Sequence, residues 1–349
     1  MSNGRAVVAD GVVDHTSIIG VVGGGVTGAR VVGLLAGRGV RVAVHDTMRS
    51  AASAAARPVG GVVVNRVEDL MVCDLVVLCQ PAPHAELASR FLREGTPVVS
   101  ISDDLDDLRV MLGLADVTRR GEVPLIVGAG MAPGLSGLLA RYLAAQLHVV
   151  DELHVATHGT AGPACARQHH HALGTTALGW HDGEWIEPPG GSGRDLVWFP
   201  EPIKANDCYR GALGDPLLLH RAFPEVSRIS ARVSATRRDR LTARLPMLTP
   251  PHPDGDLGAV RVEARGSAAD GSRVTVIAGA ASNTARLAAA IAAVTAVQVL
   301  RAGQGGVGPE PGVHTPGDLA LEPLDLLHHA TAAGVQVQEY TGLSRATSW

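Results

Sequence analysis

The chain has 349 residues, of which 46% are hydrophobic and 18% are charged, a composition that excludes an intrinsically disordered protein. The formal net charge of −4 leaves no strongly basic surface, so we expect no nucleic-acid partner. This length favours two domains over one. The four cysteines are scattered and form no C-x-x-C pair, which is typical of free thiols in a reducing compartment such as the cytoplasm.

The first informative segment is SIIGVVGGGVTGARVVGLLAGRGVRVAVHD, residues 17–46, which predicts a strand, a helix and a second strand. A G-x-G-x-x-G pattern lies between that first strand and the helix, formed by Gly23, Gly25 and Gly28. The first glycine permits a tight turn, the second admits a pyrophosphate close to the backbone, and the third lets helix and strand pack closely. We expect the phosphates beside Val26 and Thr27, on free amides at the helix start. The segment therefore predicts dinucleotide binding.

The residues after the second predicted strand bear on the choice between NAD and NADP. Asp46 ends that strand, where a carboxylate accepts hydrogen bonds from the adenosine ribose. A carboxylate repels a 2′-phosphate and favours NAD, whereas Arg49 shortly after it could hold that phosphate and favour NADP. Both cofactors stay open, with a slight preference for NAD.

Strands and helices continue to alternate up to about residue 135, which predicts a doubly wound parallel sheet. We expect the carboxyl ends of its fourth and sixth strands to meet the cofactor, through Cys79, Gln80, Pro81, Gly130 and Met131. The acid run DDLDD at 103–107 is expected to cap a helix rather than bind a metal.

Beyond residue 150, predicted strands follow one another with few helices between them, which indicates an α+β domain with a mostly antiparallel sheet. The overall prediction is an α/β fold, with a Rossmann domain at 16–135 and 305–345 and an inserted α+β domain at 136–304. A hairpin is expected around Asp270-Gly271. The alanine-rich run 287–300 is expected to be a packed helix rather than a membrane span. The strand near the C-terminus, GVQVQEYTG, is expected to pack on the first domain.

One candidate segment for chemistry is RQHHHALG, residues 167–174, on a predicted helix. Arg167 is a candidate for binding substrate, and His169 is a candidate proton donor. Consecutive helical residues point about 100° apart, so the three histidines cannot share one metal, and we expect no metal site.

A second candidate segment is WFPEPIKANDCYRGAL, residues 198–213, which predicts a polar loop beside the active site or the cap of a helix. Lys204 is the only lysine of the chain and the leading candidate for proton donor or substrate anchor. Tyr209 is the next candidate donor, and Asp207 and Arg210 are candidate substrate contacts.

Three stretches, CQPAPHAELASRFLREGTPVVSIS, IVGAGMAPGLSGLLARYLA and GVGPEPGVHTPGD, resemble saccharopine dehydrogenase-like (saccharopine reductase) oxidoreductases. Sugar and inositol dehydrogenases share part of this pattern, but the Glu-Lys-Pro they usually carry is replaced here by Ser-Ile-Ser-Asp at 100–103. At the end of the sixth predicted strand, the saccharopine reductase pattern looks like G-x-D-P-G. This chain has GMAPG at 130–134, with alanine in place of the acid. The missing carboxylate removes a possible partner for a substrate amine and argues against saccharopine itself.

This resemblance implies an NAD(P)-dependent oxidoreductase that reduces an imine or oxidises a secondary amine of a small amino-acid-derived substrate. Two alternatives stay open. One is an enzyme similar to homospermidine synthase, which uses bound NAD as a prosthetic group without net redox change. The other is a non-enzymatic sensor of cofactor state. In each case we expect a homodimer without a membrane partner.

Overall fold

The computed structural model describes residues 17–247, 250–306 and 308–340. The strands are β1 (Ile18–Val22), β2 (Arg41–His45), β3 (Val62–Val63), β4 (Leu75–Leu78), β5 (Val98–Ser100), β6 (Leu125–Ile126), β7 (Val149–His158), β8 (Gly179–His181), β9 (Glu184–Ile186), β10 (Asp195–Phe199), β11 (Lys204–Tyr209), β12 (Arg228–Ser234), β13 (Leu257–Ser267), β14 (Arg273–Asn283), β15 (Val313–His314) and β16 (Val337–Glu339). The helices are α1 (Val26–Ala36), α2 (Arg49–Ala56), α3 (Ala85–Arg93), α4 (Leu105–Leu112), α5 (Ala115–Gly121), α6 (Leu135–Ala144), α7 (Pro163–Gly174), α8 (Asp215–Ala222), α9 (Arg237–Thr242), α10 (Thr284–Gly303) and α11 (Pro323–Ala332).

The first sheet has seven strands in the order β15-β6-β5-β4-β1-β2-β3, all paired in parallel. This is the doubly wound order, and the direction of winding reverses between β1 and β4. Helices cover both faces, which is why β4 is a continuous apolar run with all four residues buried. The predicted Rossmann sheet is confirmed, and its switch point lies where β1 and β4 end.

The second sheet has nine strands, with a main path β10-β11-β12-β7-β13-β14-β16 and the β8–β9 hairpin attached to β12. Within the described strands of this second sheet, only β7 and β12 pair in parallel, so the predicted mostly antiparallel sheet is confirmed. The predicted hairpin is β13–β14, and Gly271 in its turn has a φ of +82°.

The C-terminal strand differs from its prediction. β16 pairs antiparallel with β14, and Val337 lies opposite Ala280 at the edge of the second sheet. The expected packing of this strand on the first domain is therefore wrong, because β14 offers an unpaired edge that β16 completes. The domain boundaries at 135 and 305 stay predictions, and residues 16, 248, 249, 307 and 341–345 lie outside the described ranges.

α10 is the one helix in the described ranges that is long and apolar enough to cross a membrane. In the structure, 83% of its most apolar stretch is buried within the protein. It packs along α1, and buried residues occur all around its circumference from Thr284 to Leu300. A helix that is apolar on every side is the central helix of a core, and this confirms the expected packed helix.

Two other segments also differ from the sequence prediction. Residues 204–209 form strand β11, which pairs with β10, so the predicted polar loop is wrong. The helix expected from the acid run onward is divided into α4 and α5, because the chain turns at Gly113 and Leu114. Four further helices, α2, α8, α9 and α11, were not predicted from the sequence.

α6 and α8 are joined by a buried hydrogen bond, in which the Ser136 hydroxyl donates to Asp215 Oδ1 at 2.5 Å. Asp215 is 1% exposed. Burial, together with the nearby Asp103 charge, raises the pKa of Asp215 to about 6, although Ser136 and His169 act in the opposite direction. The carboxyl group therefore holds its proton more strongly in the folded than in the unfolded protein.

We expect Asp215→Asn to be more stable than the wild type at pH 8, by roughly 2–3 kcal/mol. The raised pKa of Asp215 contributes stability that is complete below pH ~4 and is lost as pH rises to about 6. The advantage of the variant should therefore disappear at pH 4. Urea unfolding at pH 4, 6 and 8 measures it, with exposed Asp116→Asn as control. An advantage that does not change with pH would contradict the prediction.

Candidate active site

A cavity of about 630 Å³ opens at the switch point of the first sheet. One wall comes from the first sheet, at the carboxyl ends of β1, β2, β4, β5 and β6. The opposite wall comes from the segment leading into α7, the first turns of α7 and the start of α10, where Thr284 and Ala288 lie. The position is the one at which open parallel sheets bind ligands.

The glycine-rich turn forms the floor of this cavity. Gly23 has a φ of +97°, and a Cβ there would lie 2.5 Å from the backbone nitrogen of Gln80. A Cβ on Gly28 would overlap the carbonyl oxygen of Gly23. A Cβ on Gly25 would meet no atom of the described ranges within 4 Å, because it would project into the open cavity. Each glycine thus meets a different steric demand of the turn, as a pyrophosphate-binding motif requires.

The start of α1 faces the same space. Gly25 is its N-cap and supplies no side-chain hydrogen bond, and the first turn contains no acidic residue. Val26 and Thr27 line the cavity. The positive end of the helix is therefore available to an anion.

Asp46 lies at the far end of the cavity, after β2. The backbone nitrogen of Gly24 donates to its Oδ2 at 2.8 Å, and that of Met48 donates to its Oδ1 at 2.7 Å. These bonds fix the carboxylate at the cavity edge, and each oxygen keeps capacity for a further donor. Arg49 does not line the cavity, because its guanidinium donates to the side chain of Asn65.

A buried network behind the cavity holds the ends of β4 and β5. The ring of His84 bonds the backbone oxygen of Gln80 at 2.7 Å and the hydroxyl of Ser100 at 2.8 Å. Asp107 accepts from the backbone nitrogen of His84 and, at 2.7 Å, from the hydroxyl of Ser102. Burial lowers the pKa of His84. The network fixes the loops that present Cys79, Gln80, Pro81 and Ser102 to the cavity.

The acid run has divided roles. Asp104 is the N-cap of α4 and accepts from the backbone nitrogen of Asp107, which confirms the expected capping. Asp106 pairs with Arg109 on the surface. Asp103 instead lines the cavity, where Cys165 and His169 come close to it.

His169 Nε2 lies 3.2 Å from Asp103 Oδ2 and 3.8 Å from Cys165 Sγ. Burial acts to lower the pKa of His169, but Cys165 and Asp103 beside the imidazole raise it well above its usual value. Nδ1 of the same ring is buried and has no hydrogen-bond partner in the part of the chain that the structure describes. From the sequence, His169 was singled out and Asp103 had only a capping role. Cys165 was not selected, although it lies one helical turn before His169.

Arg167 also lines the cavity, on the first turns of α7 near His169. Gly130 and Met131 line it from the end of β6, as expected of cofactor contacts. Burial raises the pKa of the Cys79 thiol to about 12, so this lining cysteine carries no negative charge.

The candidates from the 198–213 segment lie outside this cavity lining. Lys204 is exposed, with a φ of +64° at the start of β11. Asp207 pairs with Arg194 at 3.0 Å, and Tyr209 is fully buried in the core. The guanidinium of Arg210 packs over Gly193. The structure does not bring these four residues to the glycine-rich turn, because their segment is a strand of the second sheet.

The fold and the cavity together define a Rossmann-type dinucleotide-binding architecture with a second α+β unit. No protein-family model matches the chain, and no curated protein matches it. Among solved structures, the chain is similar to the apo histidine-tagged saccharopine dehydrogenase (L-Glu forming) from Saccharomyces cerevisiae, with a TM-score of 0.70. The two are 16% identical over 93% of this chain and 100% of that chain. The resemblance predicted from the sequence motifs is thus confirmed for the fold.

Two further structures are more distant. A mutant meso-dapdh with DAP from Clostridium tetani E88 has a TM-score of 0.49 and 13% identity, over 85% of this chain and 93% of that chain. A myo-inositol dehydrogenase from Corynebacterium glutamicum has a TM-score of 0.44 and 16% identity, over 93% and 99%.

We expect Lys204→Met to leave nucleotide affinity unchanged and the free energy of unfolding within about 0.5 kcal/mol of the wild type, since the side chain is exposed and does not line the cavity. Titration calorimetry with NADH and urea unfolding measure both quantities. A fall in nucleotide affinity with an unchanged free energy of unfolding would show that Lys204 contributes to the nucleotide site.

Proposed function

We propose that this protein is an NAD(P)-dependent oxidoreductase. The observation that carries the proposal is the open space above Gly25, at the uncapped start of α1. A pyrophosphate in that space would meet free amides and the positive end of the helix. The fold shared with a saccharopine dehydrogenase supports the same assignment.

The shape of the cavity supports one orientation of the dinucleotide. At one end, the hydroxyl groups of the adenosine ribose would donate hydrogen bonds to the Asp46 carboxylate. The nicotinamide would lie at the other end, near Gln80, Ser102 and Met131. Asp103, Cys165 and His169 line the same cavity, and Asp103 directly follows Ser102, so these titratable groups would lie close to the reacting carbon of the cofactor. The cofactor would supply the hydride, and the chain would supply orientation and a proton.

We further propose that the reaction takes place at a carbon–nitrogen bond of a small amino-acid-derived substrate. Arg167 would bind a substrate carboxylate with its planar guanidinium. His169 would give the proton to nitrogen as hydride reaches carbon, because it is the one candidate donor from the sequence that lines the cavity. The C–N chemistry itself rests on the sequence resemblance, and saccharopine stays disfavoured because Ala132 lacks a carboxylate.

The cavity also bears on the two alternatives. A cofactor sensor needs no titratable groups beside the nicotinamide, whereas this cavity has several, which favours an enzyme. An enzyme with NAD as a prosthetic group would retain nucleotide through purification and show no net absorbance change during turnover. Homodimerisation and the cytoplasmic location stay predictions, and sedimentation and cell fractionation would test them.

The decisive test of nucleotide binding is Gly25→Val. The added side chain would fill the pyrophosphate space. It would not clash with the described part of the protein, where no atom lies within 4 Å of its Cβ. We expect nucleotide binding to fall at least roughly 100-fold, a loss of ~2.7 kcal/mol, with the unfolding transition retained. Gly33→Val is the matched control, because it lies on the same helix, is exposed and is equally free of neighbours. Equal nucleotide affinity in both variants would contradict the assignment.

The cofactor preference has a separate test. Asp46→Asn removes the charge and keeps an acceptor, so the ratio of NADP to NAD affinity should rise roughly tenfold, ~1.4 kcal/mol. Arg49→Ala should leave the ratio unchanged, because Arg49 is bonded to Asn65 and does not line the cavity. Fluorescence titration of both reduced nucleotides measures the ratio. A ratio that changes only with Arg49→Ala would assign the ribose contact to the arginine and favour NADP.

A further inference from the structure

Three side chains of different chemistry converge on one point of the cavity. Cys165 and His169 are four residues apart on α7 and therefore share one face of the helix. Asp103 reaches the same point from the loop between β5 and α4. Its carboxylate oxygen, the Cys165 Sγ and the His169 Nε2 all lie within 4.8 Å of one another.

A hydrogen-bonded triad does not account for this arrangement. In such a triad the acid holds one ring nitrogen of the histidine, and the nucleophile approaches the other. Here Asp103 and Cys165 approach the same nitrogen, Nε2, while Nδ1 has no hydrogen-bond partner among the described residues. One nitrogen carries at most one proton, so it cannot donate fully to both neighbours. A single cation between the three donor atoms would bond to all of them.

The two separations measured from His169 Nε2 fit zinc, and the carboxylate oxygen and the thiol sulfur lie within 4.8 Å of each other. Bonds of ~2.3 Å to sulfur and ~2.0–2.1 Å to nitrogen or oxygen place neighbouring ligands of a tetrahedral zinc roughly 3.3–3.6 Å apart. The separations of 3.2 Å and 3.8 Å from His169 Nε2 are within a few tenths of those values. A thiolate beside an imidazole and a carboxylate favours zinc over magnesium or calcium, which prefer oxygen ligands.

We propose that Asp103, Cys165 and His169 form a zinc site with its fourth coordination position open to the cavity. Three protein ligands and one open position are typical of catalytic rather than structural zinc. The site goes beyond the proposed function, which needs no metal. A zinc-bound Nε2 carries no proton, so the zinc-bound form and the proton-donating form of His169 exclude each other. The expectation from the sequence was the opposite, no metal site, because the histidines, the acid run and the cysteines were weighed separately and residues from all three were not combined.

Metal binding to the full-length protein tests the proposal without a substrate. Protein stripped with a chelator and then given Zn²⁺ should retain one zinc per chain after dialysis, measured by mass spectrometry. The Co²⁺ form should show a thiolate-to-cobalt charge-transfer band. Cys165→Ala, His169→Gln and Asp103→Asn should each weaken zinc binding at least roughly 100-fold, since each removes a direct ligand.

Control variants at neighbouring residues test whether zinc binding depends on the three proposed ligands specifically. His170→Gln changes the next residue of α7, whose ring bonds the backbone oxygen of Leu245, and should keep zinc. Cys79→Ser changes another lining thiol and should also keep zinc and the charge-transfer band. Cys165→His offers a replacement ligand, so it should retain zinc but lose the band, which guards against a folding defect in Cys165→Ala.

The proposal would be overturned if the stripped protein retained less than one zinc per chain, or if the ligand variants bound zinc as tightly as the controls. A cobalt form without the thiolate band would overturn it as well. Gly25→Val should keep zinc while losing nucleotide, so failure of the metal site and failure of the nucleotide assignment are distinguishable.

Discussion

The close approach of α1 to the first sheet at Gly28 is the constraint on which the rest of the structure depends. Only a residue without a Cβ fits there, because any side chain would overlap the carbonyl oxygen of Gly23. This contact sets the position of α1, and α10 packs along α1 as the central buried helix. The start of α10 then reaches the cavity at Thr284, so one steric requirement places elements from both ends of the chain around the same site.

Much of the first sheet could be predicted from the sequence, because its signals are local. The run IIGVV, the three glycines and Asp46 specify a strand, a turn, a helix and a second strand within thirty residues. Each glycine then has the environment that its position in the motif predicts. The hairpin at Asp270-Gly271 was predictable for the same reason, since a two-residue turn signal is a local property.

The chemistry of the cavity was less predictable, because its members are far apart in sequence. Lys204 was singled out for its rarity, which is a property of composition and carries no information about position. Asp103 belongs to an acid run in which Asp104 has the expected capping role, so the sequence could not separate the two. Cys165 precedes His169 by one helical turn, a spacing that marks a shared face, and this was the available signal.

The cluster also shows how the two sheets cooperate. Asp103 lies in the loop that follows β5 of the first sheet, whereas Cys165 and His169 belong to α7, which follows β7 of the second sheet. Neither unit alone holds all three groups, so their spacing of a few ångströms depends on how the units pack. That packing includes α6 against β13 and the buried bond between Ser136 and Asp215. Any ligand that bonds Asp103 and His169 together therefore stabilises the packed arrangement, whereas a ligand confined to the glycine-rich turn contacts only the first sheet. A ligand that bonds both Asp103 and His169 is thus expected to bind more tightly when the two sheets are packed together.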